Sequence, residues 1–174
     1  MKNKFALLLA LAVAASTLQG CASSATSQAM TVTTATMGRT NENFKSAIRI
    51  EGVFGGKETN PLWTSQVGND GFKKALEDSL NNAGYLAASP DKAKYSLTAN
   101  LLQLDQPLMG LTFDVVSSIQ YQLKGNGADK SMPITATGTA GFSDAAIAIQ
   151  RLRIANERSI LENIKALLKQ LAEM

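Results

Sequence analysis

Phe113-Asp114-Val115-Val116-Ser117-Ser118-Ile119-Gln120-Tyr121-Gln122-Leu123-Lys124, running into Gly125-Asn126-Gly127, is the stretch on which the fold turns. Phe113, Val115, Ser117, Ile119, Tyr121 and Leu123 fall on one side of an extended chain, and Asp114, Ser118, Gln120 and Gln122 on the other. That is the period of two of a strand with one buried face. Gly125-Asn126-Gly127 offers residues that tolerate positive φ, so a tight turn follows. Met132, Ile134, Ala136, Gly138, Ala140 and Phe142 then alternate with Thr135, Thr137 and Thr139, which predicts the returning strand. Upstream, Tyr95, Leu97, Ala99 and Leu101 alternate with Ser96, Thr98 and Asn100. The three segments together predict an antiparallel meander.

Working outward, Ile48 and Ile50 alternate with Arg49 and Glu51, and Val53-Phe54 leads into Gly55-Gly56. This is a further strand closed by a glycine break. Asn60-Pro61-Leu62-Trp63 reads as a loop, because proline biases the residue before it away from helix. Phe72, Leu76 and Leu80, with Ala75, Ser79 and Ala83 beside them, predict an amphipathic helix that Asn69 or Asp70 caps and Gly84 ends. At the far end, Ile154, Leu161, Ile164, Leu168 and Leu171, widened by Ile160 and Leu167, lie along one face of a long helix. The order strand, helix, three strands, helix lets one apolar sheet face and two helix stripes bury each other. The expected fold is an α+β two-layer sandwich over residues 46–174, a four-stranded, mostly antiparallel sheet with two helices on one face and a polar outer face.

The first 20 residues read as an export signal. Lys2 and Lys4 make a basic start, and Phe5 to Ala15 an apolar core too short for the roughly 20 residues that span a bilayer. Leu18-Gln19-Gly20-Cys21 then has the form of a lipobox: a bulky apolar residue at minus three (Leu18), a small one at minus one (Gly20), and Cys21 to take the diacylglyceryl thioether and palmitate-type acyl chains. The duller reading of Cys21 is a free or disulfide-bonded cysteine just after an ordinary secretory cut. It is the only cysteine in the chain, so no intramolecular disulfide forms. Residues 22–45 are rich in Ser, Thr, Ala and Asn and are expected to form a flexible tether.

Composition narrows the function classes. Of 17 Lys and Arg residues against 14 Asp and Glu, Lys2 and Lys4 belong to the signal, so the remainder is close to neutral. No basic run exceeds Lys73-Lys74, which argues against a nucleic-acid partner. The chain has no histidine, the commonest general base and metal ligand. Ser-His-Asp triads and histidine-based zinc sites are excluded. Gly52, Gly55 and Gly56 lack the spacing of a phosphate-binding loop and read as turn glycines. No catalytic residue, metal site or cofactor is expected. An enzyme would have to rest on an acidic pair such as Asp105 and Asp114.

Two loops remain as candidate partner-binding sites. Leu104-Asp105-Gln106-Pro107-Leu108-Met109-Gly110-Leu111 is a long connection in which Pro107, Leu108, Met109 and Leu111 form either an exposed contact tip, touching a partner or lipid, or a lid over the core edge. Trp63 is either an anchor for a partner or a plug at the end of the core. Glu77 and Asp78 on the first helix and Arg151, Arg153 and Arg158 on the last are expected to form salt-linked faces.

The lipobox at Cys21, the element order, and the segments Asn60-Pro61-Leu62-Trp63-Thr64-Ser65-Gln66-Val67 and Leu104-Asp105-Gln106-Pro107 resemble an uncharacterised family of small Gram-negative envelope lipoproteins. The architecture is similar to that of lipopolysaccharide-transport lipoproteins and the auxiliary lipoproteins of ABC-type lipid-transport systems. With Ala22, not Asp, after the cysteine, the resemblance implies a lipid anchor in the outer membrane, on its periplasmic side. It implies a non-catalytic accessory of envelope assembly or transport acting through an envelope protein partner, or alternatively a module that binds a glycolipid or phospholipid ligand.

Overall fold

The computed structural model describes residues 22–33, 40–60 and 64–174. Residues 1–20, read as an export signal with Leu18 and Gly20 in its cleavage region, Cys21, expected to carry the lipid, and Pro61, Leu62 and Trp63 lie outside the described residues.

One open sheet runs in the order β1 (Ile48–Phe54), β2 (Tyr95–Asp105), β3 (Phe113–Gly125) and β4 (Ala128–Ala140). β2, β3 and β4 form the expected antiparallel meander. Asn126 and Gly127 close the β3–β4 hairpin with positive φ at both residues, as the twist of the flanking strands requires. β1 lies parallel to β2, so its connection must cross over a face of the sheet. A helix, Asn69–Asn82, makes that crossover, and the C-terminal helix Ala148–Glu173 packs on the same face. The α+β two-layer sandwich is therefore the fold, with a parallel pair at one edge. At the other edge, β4 carries Pro133 opposite Gln120 with its ring exposed, a position open to proline because the N–H it lacks is not missed there. The outer face is polar, bridged by Ser118 to Thr135, Gln120 to Ser131 and Gln122 to Asp129.

The crossover helix ends as expected. Gly84 takes a left-handed conformation, and the Tyr85 N–H returns to the Leu80 carbonyl at 2.8 Å, the hydrogen bond of a Schellman cap. Its start differs. Neither Asn69 nor Asp70 caps it; Gly68 precedes the first turn, and Asn69 Oδ1 accepts the Gly56 N–H at 2.8 Å, fastening the exit of β1.

The C-terminal helix buries a face rotated from the one its large apolar residues mark. Ile160, Ile164, Leu167 and Leu171 enter the core, but so do Ala155, Ser159 and Asn163, while Ile154 and Leu161 stay half-buried at its margins. The cause is a close approach to β4. A Cβ added to Gly138 would lie 2.1 Å from the Ser159 nitrogen and 2.3 Å from the Ala155 oxygen, so helix backbone touches strand backbone and only small side chains fit the seam. One turn on, Asn163 is fully buried. Its Nδ2 donates to the carbonyls of Ile134 (3.0 Å) and Ser117 (3.2 Å), and its Oδ1 accepts the Tyr121 hydroxyl at 3.1 Å. Burial pushes the Tyr121 phenol far above its ordinary pKa, which keeps it a neutral donor. The Ser159 hydroxyl donates to the Ala136 carbonyl at 3.1 Å.

Residues 22–33 are not the tether that their composition predicts. They form a short helix, Ser27–Met30, and an extended piece lying between the two long helices. Met30 and Val32 are buried in the core. The Val32 N–H donates to Ser79 Oγ at 2.9 Å, and its carbonyl accepts from Asn82 at 2.9 Å. The Thr26 N–H and hydroxyl both donate to Glu157 Oε1, at 2.9 and 3.0 Å. Residues 40–45 are also docked: Phe44 is buried and meets the rings of Tyr85 and Tyr95 edge-on. Serine and threonine mislead here because their hydroxyls connect the segment to the helices. The described domain thus reaches back to Ala22.

For convenience, the helices are named α1 (Ser27–Met30), α2 (Asn69–Asn82) and α3 (Ala148–Glu173). Gly138→Ala should cost about 3 kcal/mol, since backbone on both sides must shift. Gly127→Ala, left-handed but with open space around it, should cost only about 1 kcal/mol. Met30→Ala should cost about 3 kcal/mol, where the same change in a tether would cost nothing. Urea unfolding of the three variants checks all of these.

Candidate functional site

The ends of β2 and β4 and the starts of β3 and α3 come together at one end of the sandwich. A satellite core of Phe113, Val115, Ala140, Leu152 and Ala155 fills it. Arg151, nearly buried, crowns that core. Its Nη1 donates to the carbonyls of Ala145 (2.9 Å) and Ala146 (2.8 Å), and its Nη2 reaches the Gly110 carbonyl at 3.4 Å. The guanidinium carbon lies 5.5 Å from the Phe113 ring centre and 5.6 Å from that of Phe142, within cation–π range. One cation therefore fastens the β2–β3 loop to the β4–α3 loop.

Beyond this clamp the surface is apolar. Leu108 is 97% exposed, Met109 88% and Leu111 77%. They do not fold back as a lid over the core; the exposed alternative is the one the structure takes. Pro107, half-buried, stands at the root of the loop. Phe142, expected on the inner face of β4, instead lies past the strand's last residue, Ala140, and is 64% exposed under the Arg151 guanidinium. The strand ends early because Gly141 and Asp144 make a turn in which the Gly141 N–H donates to Asp144 Oδ2 at 2.8 Å. The alternation up to Ala140 hides this, and Gly141-Phe142-Ser143-Asp144 is the turn signal that would reveal it. Ile147 and Arg151 also belong to this end, and nothing in their spacing announces it.

The start of the described chain sits at the same end. Ala22 is buried. The Ser23 carbonyl accepts the Ser65 hydroxyl at 2.7 Å, and its own hydroxyl accepts Arg153 Nη1 at 3.0 Å. The Ser65 carbonyl in turn accepts Nε2 of Gln106 (2.9 Å) and Nδ2 of Asn156 (3.0 Å). Gln106 opens the loop that carries Leu108, so a continuous polar knot links the first described residues to the root of the apolar tip.

The charged groups pair locally. Lys73 and Lys74 pair with Glu77 and Asp78 within α2, and Arg158 pairs with Asp144 at 2.7 Å. The expected salt links between the faces of the two long helices are replaced by these shorter-range pairs. Asp105 accepts from Gln103 and Asp114 from Thr139, each engaged separately on the outer face. Among the described residues, no group of three or more Cys, Asp or Glu side chains is arranged to hold a metal ion. The Gly56 N–H is taken by Asn69 Oδ1. At the opposite end, an open hollow of about 650 Å³ is lined by Phe44, Lys45, Lys94, Tyr95, Lys130 and Met174.

Several solved structures share this fold. A protein of Caulobacter crescentus CB15 described as a candidate lipoprotein is 20% identical, over 76% of this chain and 92% of that chain, with a TM-score of 0.50. An uncharacterised protein is 11% identical, over 74% of this chain and 94% of that one, with a TM-score of 0.54. No protein-family model matches the chain, and no curated protein matches its sequence. No helix among the described residues is long and apolar enough to cross a membrane.

Arg151→Met keeps an apolar stem over the satellite core but removes the clamp. Amide exchange in residues 108–111 and 142–147 should speed up about tenfold while the strands stay protected. A second expectation concerns pH. Hydrogen bonds from the Arg158 guanidinium, with the Gly141 N–H, hold the Asp144 carboxyl below its ordinary value. A depressed folded-state pKa gives stability that is complete above the unfolded value of about 3.9 and is lost as pH falls through the folded one. Urea midpoints of the wild type and Asp144→Asn should therefore differ at neutral pH and converge in acid.

Proposed function

We propose that this protein is a lipid-anchored lipoprotein of the Gram-negative envelope, held in the outer membrane on its periplasmic side, and that it works there as a non-catalytic accessory through protein contacts. The observation that carries this reading is Leu18-Gln19-Gly20-Cys21 behind a short apolar signal, followed directly by the packed Ala22. The fold it shares with the Caulobacter candidate lipoprotein supports it. Ala22 after the cysteine favours the outer membrane. A chain without histidine, in which Asp105 and Asp114 are engaged separately by Gln103 and Thr139, supports an accessory over an enzyme.

The alternative, a glycolipid or phospholipid binding module of an envelope lipid-transport system, needs an apolar groove between sheet and helices. In this chain Met30 and Val32 occupy the space between α2 and α3, which weighs against it. The likeness to lipopolysaccharide-transport and ABC-auxiliary lipoproteins rests on element order, and selects no partner.

Metabolic labelling of cells expressing the full chain with an alkyne analogue of palmitate tests the anchor. The wild type should carry label and sediment with outer membranes. Cys21→Ser should lose both the label and the membrane association. An unlabelled, freely released wild-type protein would overturn the reading.

A further inference from the structure

Exposed apolar side chains are unevenly placed on this molecule. Of the eight large ones that stand exposed among the described residues, five (Leu108, Met109, Leu111, Phe142 and Ile147) belong to the end clamped by Arg151. Loops that bear such residues without covering core mark a surface with a non-aqueous neighbour. The clamp shows that the tip is built: a buried cation spends its hydrogen bonds on the backbones of both loops and stacks on Phe142.

What covers the tip follows from where the chain enters. Had residues 22–45 been a tether, a flexible chain of that length would let the domain wander roughly 27 Å from its anchor. Instead Ala22 is already packed, and Cys21 is joined to it by one peptide unit of about 3.8 Å. Ser23 is hydrogen-bonded to Ser65, and Ser65 to Gln106. Leu108 lies only two residues past Gln106, at most about 7 Å of chain. A lipid on Cys21 therefore enters the bilayer beside the tip, with no slack that would let the domain lift away.

We propose, resting on the lipid-anchor reading, that Leu108, Met109, Leu111, Phe142 and Ile147 form a membrane-docking surface seated among the headgroups and upper acyl chains of the bilayer that holds Cys21. The sandwich stands on this end. The polar outer sheet face and the hollow around Tyr95 and Lys130 point to the aqueous side, where a protein partner reaches them. Acyl chains and an apolar tip act together, the two-signal arrangement that makes membrane attachment stable.

The test uses the full-length, acylated protein in vesicles of phosphatidylethanolamine and phosphatidylglycerol. Because Cys21 is a thioether, Met109→Cys provides a single free thiol for an environment-sensitive fluorophore, and Lys130→Cys provides the control at the far end. Mass spectrometry of the N-terminal peptide establishes acylation, and flotation establishes binding. The label at 109 should be quenched several-fold more strongly by doxyl-bearing lipid than the label at 130, and should be shielded from iodide. If the protein is acylated and floats but the label at 109 stays open to iodide, the docking is wrong and the anchor stands. Shielding from both iodide and lipid quencher, seen only in native membranes, would assign the tip to a protein partner and overturn the proposal. An unacylated Cys21 would overturn the anchor and the docking with it.

Discussion

The closeness of α3 to β4 is the constraint on which the rest of this structure depends. Gly138 lets the backbone of the helix lie against the backbone of the strand, and this proximity brings Asn163 and Ser159 within hydrogen-bond reach of strand carbonyls. A buried carboxamide left unpaired is costly, while one that is fully engaged holds a single register. Asn163 is engaged on both its atoms, with Tyr121 locked as the neutral donor on one side. The apolar residues drive the helix onto the sheet. The polar seam decides where along the sheet it stops.

That placement leaves a gap between α2 and α3 that the two helices do not close themselves. Residues 22–33 close it. Buried Glu157 on α3 receives Thr26, and Ser79 on α2 receives Val32, so the segment is fastened to both walls while Met30 supplies the apolar filling. The same helix continues to Arg153 and Arg151, which hold Ser23 and the two apolar loops. α3 is thus the common support of the sheet, the chain entry and the apolar tip.

Much of the fold was legible in the sequence because strands with one wet face must alternate. Phe113 through Leu123 is buried at every second residue, and the meander follows. The parallel placement of β1 beside β2 was not legible, since alternation reports which face is buried and carries nothing about neighbours. The α3 face was misplaced by large residues: Ile154 and Leu161 draw the eye, whereas a close seam selects Ala155, Ser159 and Asn163, whose burial depends on Gly138 far away in sequence. The docked N-terminal segment was hidden for the same reason, as serine and threonine look solvated until their partners on other elements are known. Of the candidate site, Leu108, Met109 and Leu111 were visible as apolar residues in a loop. Phe142, Ile147 and Arg151 join them only through the tertiary fold, and Trp63 lies outside the described residues.

Pro133 has a consequence beyond its own strand. An open sheet has two margins along which another copy of the chain can extend it, and β4, at 13 residues, is the longer. Proline removes one donor from that row, and its ring stands where an incoming strand would need to lie flat. The opposite margin, β1, is 7 residues long, and its register to β2 shifts between Ile50 and Gly52. Neither border offers a long, regular template. Copies crowded side by side on a surface would each keep a sheet of four strands, and the protein is protected against the strand-to-strand polymerisation that high local concentration promotes.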